Sequence, residues 1–290
     1  MFDQVAILDW SAARGPKRGK DSIWLGLADA SGTRAENIST RTAAARRLEG
    51  VIDTSLAKGG RLLIGADFAF GFPSGFSAAL TGEPLALSVW DWLTERIRDT
   101  PENVSNYREV AAEMNAGFAG GGPFWGNGMR LDVPGLPRLK PPLPPPLTLH
   151  RQCDLVARID GANPKTVWQL AGAGAVGAQV LTGLPVLNKL RRRRAGAISI
   201  WPFQTADAPV VLAEVYPSLL RPQVRRAVEM GRVVDEAQVS LLATTLFRLA
   251  ATDGLKGMMS VNAKTTLLAE EGWLLGAGQS ATLSSALGIG

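Results

Sequence analysis

The chain has 290 residues, 46% hydrophobic and 20% charged, with a formal net charge of +5, one cysteine and one histidine. No apolar run nears the ~18 residues that span a bilayer, which excludes a membrane helix. Cys153 and His150, each alone, exclude a disulfide and a Cys/His zinc site within one chain, so any metal must be held mainly by oxygen; the positive charge favours nucleic acid or nucleotides as partners.

The N-terminus runs from Met-Phe-Asp straight into an apolar strand, Val5-Ala-Ile-Leu-Asp-Trp, without the features of a signal peptide, so retention in the cytoplasm is expected. Asp9 closes that strand, and Arg14, Lys17, Arg18 and Lys20 follow directly. Ser22-Ile-Trp-Leu-Gly-Leu-Ala reads as a second strand that turns at Ser31-Gly32 into a weaker third over 33–38. Residues 40–57 read as a helix with Ala44, Leu48, Val51 and Leu56 on one face, ended by Gly59-Gly60. A fourth strand, Leu62-Leu-Ile-Gly-Ala-Asp, ends on a second acid, Asp67.

Beyond Phe68-Ala-Phe-Gly-Phe-Pro the strand rhythm is lost. Helical patterns at 84–97 and 104–118 lead into a Gly-rich stretch and the stiff, proline-rich 137–146, so residues 74–160 read as an insertion or lid within a single domain, 1–290. Order resumes at Pro164-Lys-Thr-Val-Trp-Gln, with a long helical region through Arg194 that contains Gly172, Gly174 and Gly177. A strand over 209–215 carries the third acid, Glu214, and Asp235 opens a helix over 236–251 with Val239, Leu242 and Leu246 as its apolar stripe.

An ionised carboxylate at the tip of a buried strand costs free energy unless a cation or hydrogen-bond donors meet it. Three strands closed by Asp9, Asp67 and Glu214 therefore predict one convergent site. Its natural occupant is a hard divalent cation, Mg2+ or Mn2+, because the ligands are oxygens. Arg151 and Lys165, at the return from the insertion, are candidate phosphate contacts. Trp10, Trp125 and Trp168 are candidates for stacking on bases.

Three strands, a helix, then strands alternating with helices is the element order of the ribonuclease H-like fold, a mixed sheet flanked by helices. Within it Leu8-Asp-Trp-Ser, Ile64-Gly-Ala-Asp-Phe-Ala-Phe-Gly-Phe-Pro, Pro164-Lys-Thr-Val-Trp-Gln with Gly174-Ala-Val-Gly-Ala-Gln, and Ala213-Glu-Val-Tyr-Pro resemble the DUF429 family, predicted nucleases of that fold. The resemblance touches most of the chain outside the insertion. It implies phosphodiester hydrolysis with two cations about 4 Å apart, Asp9 bridging both, Asp67 and Glu214 each anchoring one, and Asp235 closing the site. Trp10, Ser11, Arg14 and Lys17 then join Arg151 and Lys165 as substrate contacts. The family pattern expects a further acid on the last helix, and in the register Asp235-Glu-Ala-Gln-Val that position is Gln238.

Other readings use the same residues. An ATP-dependent phosphotransferase of the actin and sugar-kinase group normally carries two copies of the fold and glycine-rich phosphate loops; one copy is visible here. A role in molybdopterin guanine dinucleotide synthesis lacks its glycine-rich nucleotidyltransferase start. A catalytically degenerate domain that binds nucleic acid or protein is consistent with Gln238.

Overall fold

In a computed structural model that describes residues 2–130 and 132–288, the first three strands form an antiparallel meander: β1 (Gln4–Asp9), β2 (Ile23–Asp29) and β3 (Gly32–Ile38). Thr40 caps the next helix, α1 (Arg41–Ala57), its hydroxyl accepting the Ala43 N–H at 3.2 Å. The chain then enters β4 (Leu62–Ala66), parallel to β1. Helices α2 (Phe76–Thr81), α3 (Ala86–Arg96), α4 (Tyr107–Ala116), α5 (Gln152–Ile159) and α6 (Gly177–Arg193) precede β5 (Ile198–Ile200) and β6 (Val210–Glu214). A 3-10 turn (Pro217–Leu220), α7 (Arg221–Glu229), α8 (Val234–Ala250), α9 (Gly254–Met259), α10 (Thr265–Glu271) and α11 (Ser280–Ala286) complete the described chain. The sheet order is β3-β2-β1-β4-β6-β5, with β4, β6 and β5 running parallel to β1.

Strand alternation divides the interior into two cores. Ala6, Leu8, Ile64, Ala66 and Leu212 face one core, shared with α1, α6 and the 74–160 segment. Val5, Ile7, Leu63, Ala213 and Val215 face the other, beneath α8 and the C-terminal helices. Helix α8 lies closest to the sheet at Gly26 of β2, where an added Cβ would stand 2.5 Å from the Val239 carbonyl oxygen. Gly26→Ala is therefore expected to cost about 1–3 kcal/mol through overpacking, read as a lower urea midpoint at unchanged m-value; unchanged stability would show that α8 can shift.

The expected strands and the 40–57 and 236–251 helices are present, with bounds moved by one or two residues. The helical region ending near Arg194 begins only at Gly177; Gly172 and Gly174 lie in the preceding loop with φ of 106° and 72°. The three-residue β5 and helices α9 to α11 have no counterpart in the sequence reading.

The 74–160 segment packs deeply. Phe76, Trp90, Met114 and Phe124 are fully buried in the same core as Leu8 and Ala66. Both ends of the segment meet the C-terminus of α10. Glu271 accepts the Ser74 N–H and hydroxyl through Oε1 at 2.9 and 2.8 Å, and the Gln152 N–H through Oε2 at 2.6 Å. Glu270 accepts the N–H groups of Gly75 and Ser77 at 2.9 and 3.1 Å, meeting donors that the start of α2 leaves unpaired. Gly71 allows this approach: a Cβ there would lie 2.5 Å from the Glu270 carbonyl oxygen.

Candidate functional site

Because β1 and β4 pair in parallel with Leu8 opposite Ala66, the next residues, Asp9 and Asp67, emerge side by side at the C-terminal edge of the sheet. The Asp67 N–H donates to the Leu8 carbonyl at 3.1 Å, and the Trp10 N–H donates to Asp67 Oδ1 at 2.8 Å. The two carboxyl groups also share a hydrogen bond. Asp9 is buried, and burial, followed by the charge of Asp67, holds its pKa well above the usual carboxylate range. Burial likewise raises Asp67, to about 6, against the opposing pull of the hydrogen bonds from Asp9 and the Trp10 amide.

Asp235 comes from the first turn of α8, which covers this face of the sheet. It is buried, and its Oδ2 accepts the Asp21 N–H at 2.6 Å. Asp21 takes a left-handed φ of 54° in presenting that amide. Burial raises the Asp235 pKa, while Lys20 and Lys17 oppose the shift. The charges of Asp67, Asp235 and Asp21 all act on Asp9. Asp21 was not among the acids picked out by strand ends, since its only local signal is an acid set inside a basic loop.

Glu214 has a different partner. It pairs with Ala66, one residue short of Asp67, and it lines the same small hollow as Asp67. There Arg151 grips both of its oxygens, Nη1 to Oε2 at 2.6 Å and Nη2 to Oε1 at 2.5 Å, and the Phe70 N–H donates to Oε2 at 3.0 Å. Arg151 is itself only 2% exposed and bonds Asp154 from Nε and Nη2 at 3.3 and 2.9 Å. A guanidinium so committed holds the fold together and has no free edge for a phosphate.

Trp10 is 1% exposed, with its indole N–H on Thr182 at 3.1 Å, and Trp125 and Trp168 are also buried, so none of these rings offers a face to a base. Ser11 is half-buried and accepts the Ala13 N–H at 3.2 Å, which is turn chemistry. Lys17 lies 3.6 Å from Asp21, and Arg14 is exposed beside a cavity of about 380 Å³ shared with Tyr107 and Arg108. Lys165 is exposed and lines both a small hollow of about 30 Å³ at Asp67 and a cleft of about 620 Å³ bordered by Tyr216, Arg221 and Gln238. Cys153 is buried and its thiol pKa is pushed up by burial, which makes it inert.

Taken together, the fold is α/β, a mixed six-stranded sheet flanked by helices, with its paired carboxyls at the C-terminal edge of adjacent parallel strands. The chain matches no protein-family model, no curated protein and no solved structure. Among the described residues no helix is long and apolar enough to cross a membrane. No group of three or more His, Cys, Asp or Glu among those residues is arranged as a ready metal site. Asp9, Asp67 and Asp235 can offer oxygen ligands at the sheet edge, and Glu214 lines the same hollow as Asp67.

Proposed function

We propose that the chain is a metal-dependent phosphodiesterase of ribonuclease H-like fold, acting on nucleic acid or nucleotides, as its DUF429 resemblance implies. The observation that carries this reading is the hydrogen-bonded Asp9–Asp67 pair, whose carboxyls are forced together by strand register and raised in pKa. The antiparallel meander followed by parallel strands supports the fold assignment.

Asp9 and Asp67, with Asp235 beside them, are the oxygen donors that would hold a hard cation, whereas Glu214 is engaged by Arg151. The reading therefore takes one cation rather than two. A bound Mg2+ or Mn2+ supplies charge neutralisation at a phosphoryl oxygen and activation of a water. The Trp10 amide fixes the orientation of Asp67, and the Asp21 amide fixes that of Asp235. Free of metal, the pair keeps a shared proton into a pH range where separate carboxylates have lost theirs.

Manganese titration by calorimetry, alongside hydrolysis of bis(p-nitrophenyl) phosphate, tests the reading. The expected result is manganese binding and manganese-stimulated hydrolysis. Both should fall in Asp67→Asn by ~100-fold or more, because a direct ligand matters more than the outer partners whose loss costs 10–100-fold. Protein that binds no manganese ends the proposal. A second reading, a binding domain without catalysis, is favoured by the engagement of Glu214 with Arg151; manganese binding with no cleavage of DNA, RNA or the small ester would select it.

A further inference from the structure

We propose that the cleft bounded by α7, the start of α8 and the turn after β6 is a nucleotide subsite, with Lys165 and Arg221 holding a phosphate and Tyr216, Val224 and Val228 accepting the base. The assignment deepens the phosphodiesterase reading and rests on it for the placement of a scissile phosphate.

Position is the first argument. Lys165 and Tyr216 line both this cleft and the small hollow of about 30 Å³ that reaches Asp67, so the cleft adjoins the hollow at one carboxyl of the pair. Charge is the second. Among the described residues Lys165 and Arg221 make no side-chain hydrogen bond and no ion pair, leaving two unpaired cations in the lining of the cleft. Arg225, further out, is already paired with Glu229 at 3.2 Å. A lysine and an arginine without carboxylate partners are the groups that recognise phosphate.

Shape and polarity narrow the ligand further. At about 620 Å³ the cleft falls within the range of small-molecule sites. Its lining includes the apolar side chains of Val224, Val228 and Val234 and the ring of Tyr216, with Val228 40% exposed. An anionic end joined to a flat apolar end is the pattern of a nucleotide rather than of a bare phosphate or a phosphosugar. Gln238 lines the same cleft, and its carboxamide makes no hydrogen bond to another described residue. Able both to donate and to accept, it suits the edge of a base.

Calorimetric titration of the full chain with 5′-AMP, in EDTA and again with Mn2+, tests the subsite, with ribose 5-phosphate as the comparison. The expected result is 5′-AMP binding in both conditions, ribose 5-phosphate at least tenfold weaker, and affinity for 5′-AMP at least tenfold lower in Arg221→Ala and in Lys165→Ala. Gln238→Ala should change the ranking among the four 5′-mononucleotides. Circular dichroism checks that each variant is folded, and Arg221→Lys, which keeps the charge, should recover part of the loss. The subsite is overturned if 5′-AMP does not bind, binds no tighter than ribose 5-phosphate, or binds the two alanine variants as it binds the parent. Manganese-dependent hydrolysis of bis(p-nitrophenyl) phosphate reports separately. Hydrolysis without 5′-AMP binding removes the subsite alone, whereas 5′-AMP binding without hydrolysis keeps the subsite and removes the catalytic reading.

Discussion

Asparagine in place of Asp9 is expected to stabilise the metal-free protein at pH 7.5 by about 1–3 kcal/mol while abolishing metal-dependent hydrolysis. Asp67 has a pKa raised from 3.8 to about 6, and Asp9 is raised as well, chiefly by burial and then by Asp67. An acid whose folded pKa lies above its unfolded value costs nothing at low pH, where both states are protonated. Its cost grows as pH rises past the unfolded pKa and is complete above the folded one. The Asp67 shift comes chiefly from its own burial and persists in the variant, so the gain comes from Asp9, which burial and the charge of Asp67 both raise. An asparagine at position 9 keeps a donor towards Asp67 and removes the repulsion. Urea unfolding in EDTA should thus give the variant the higher midpoint at pH 7.5, with the two proteins converging near pH 4. A variant less stable than the parent at pH 7.5 would mean that the pair is a structural asset, and the metal site would lose its main support.

Arg151→Met is expected to destabilise the protein by about 3–5 kcal/mol, because it strands the buried carboxylates of Glu214 and Asp154 without a cation. Arg151→Lys should recover little, since one ammonium cannot reproduce the fork that meets Glu214 and Asp154 with two hydrogen bonds each. Adding Glu214→Gln to Arg151→Met should restore part of the loss, and a double-mutant cycle from urea titrations measures that coupling. The same set of proteins tests the division of roles at the sheet edge. Glu214→Gln should bind manganese as the parent does, whereas Asp67→Asn should not. Loss of manganese binding in Glu214→Gln would return Glu214 to the metal site.

Much of the sheet was legible because β1, β2, β4 and β6 are apolar runs closed by turn formers, and α1 and α8 carry helical apolar stripes. Asp9 and Asp67 were legible for the same reason, as acids ending such runs. Glu214 looked equivalent, yet Arg151 holds both of its carboxylate oxygens. The partner that captures it, Arg151, lies 63 residues away in sequence, beyond any local pattern. Trp10 ends a strand beside an acid and so resembled a substrate contact, but Thr182, 172 residues on, claims its indole. At three residues β5 is too short for a period to register. Gln238 was seen as the loss of an acid, and only the cleft gives it surroundings.

The pair Glu270 and Glu271 ties the start of the 74–160 segment and the start of α5 to the same point on α10. A stretch of chain that leaves and returns at one place behaves as a module. Its exposed loops can vary in length while the side chains that share the core of the sheet are kept, provided the two glutamates stay with its endpoints. Relatives of this chain should therefore differ most in the exposed loops between Ser74 and Gln152 while keeping an acidic pair at the end of α10.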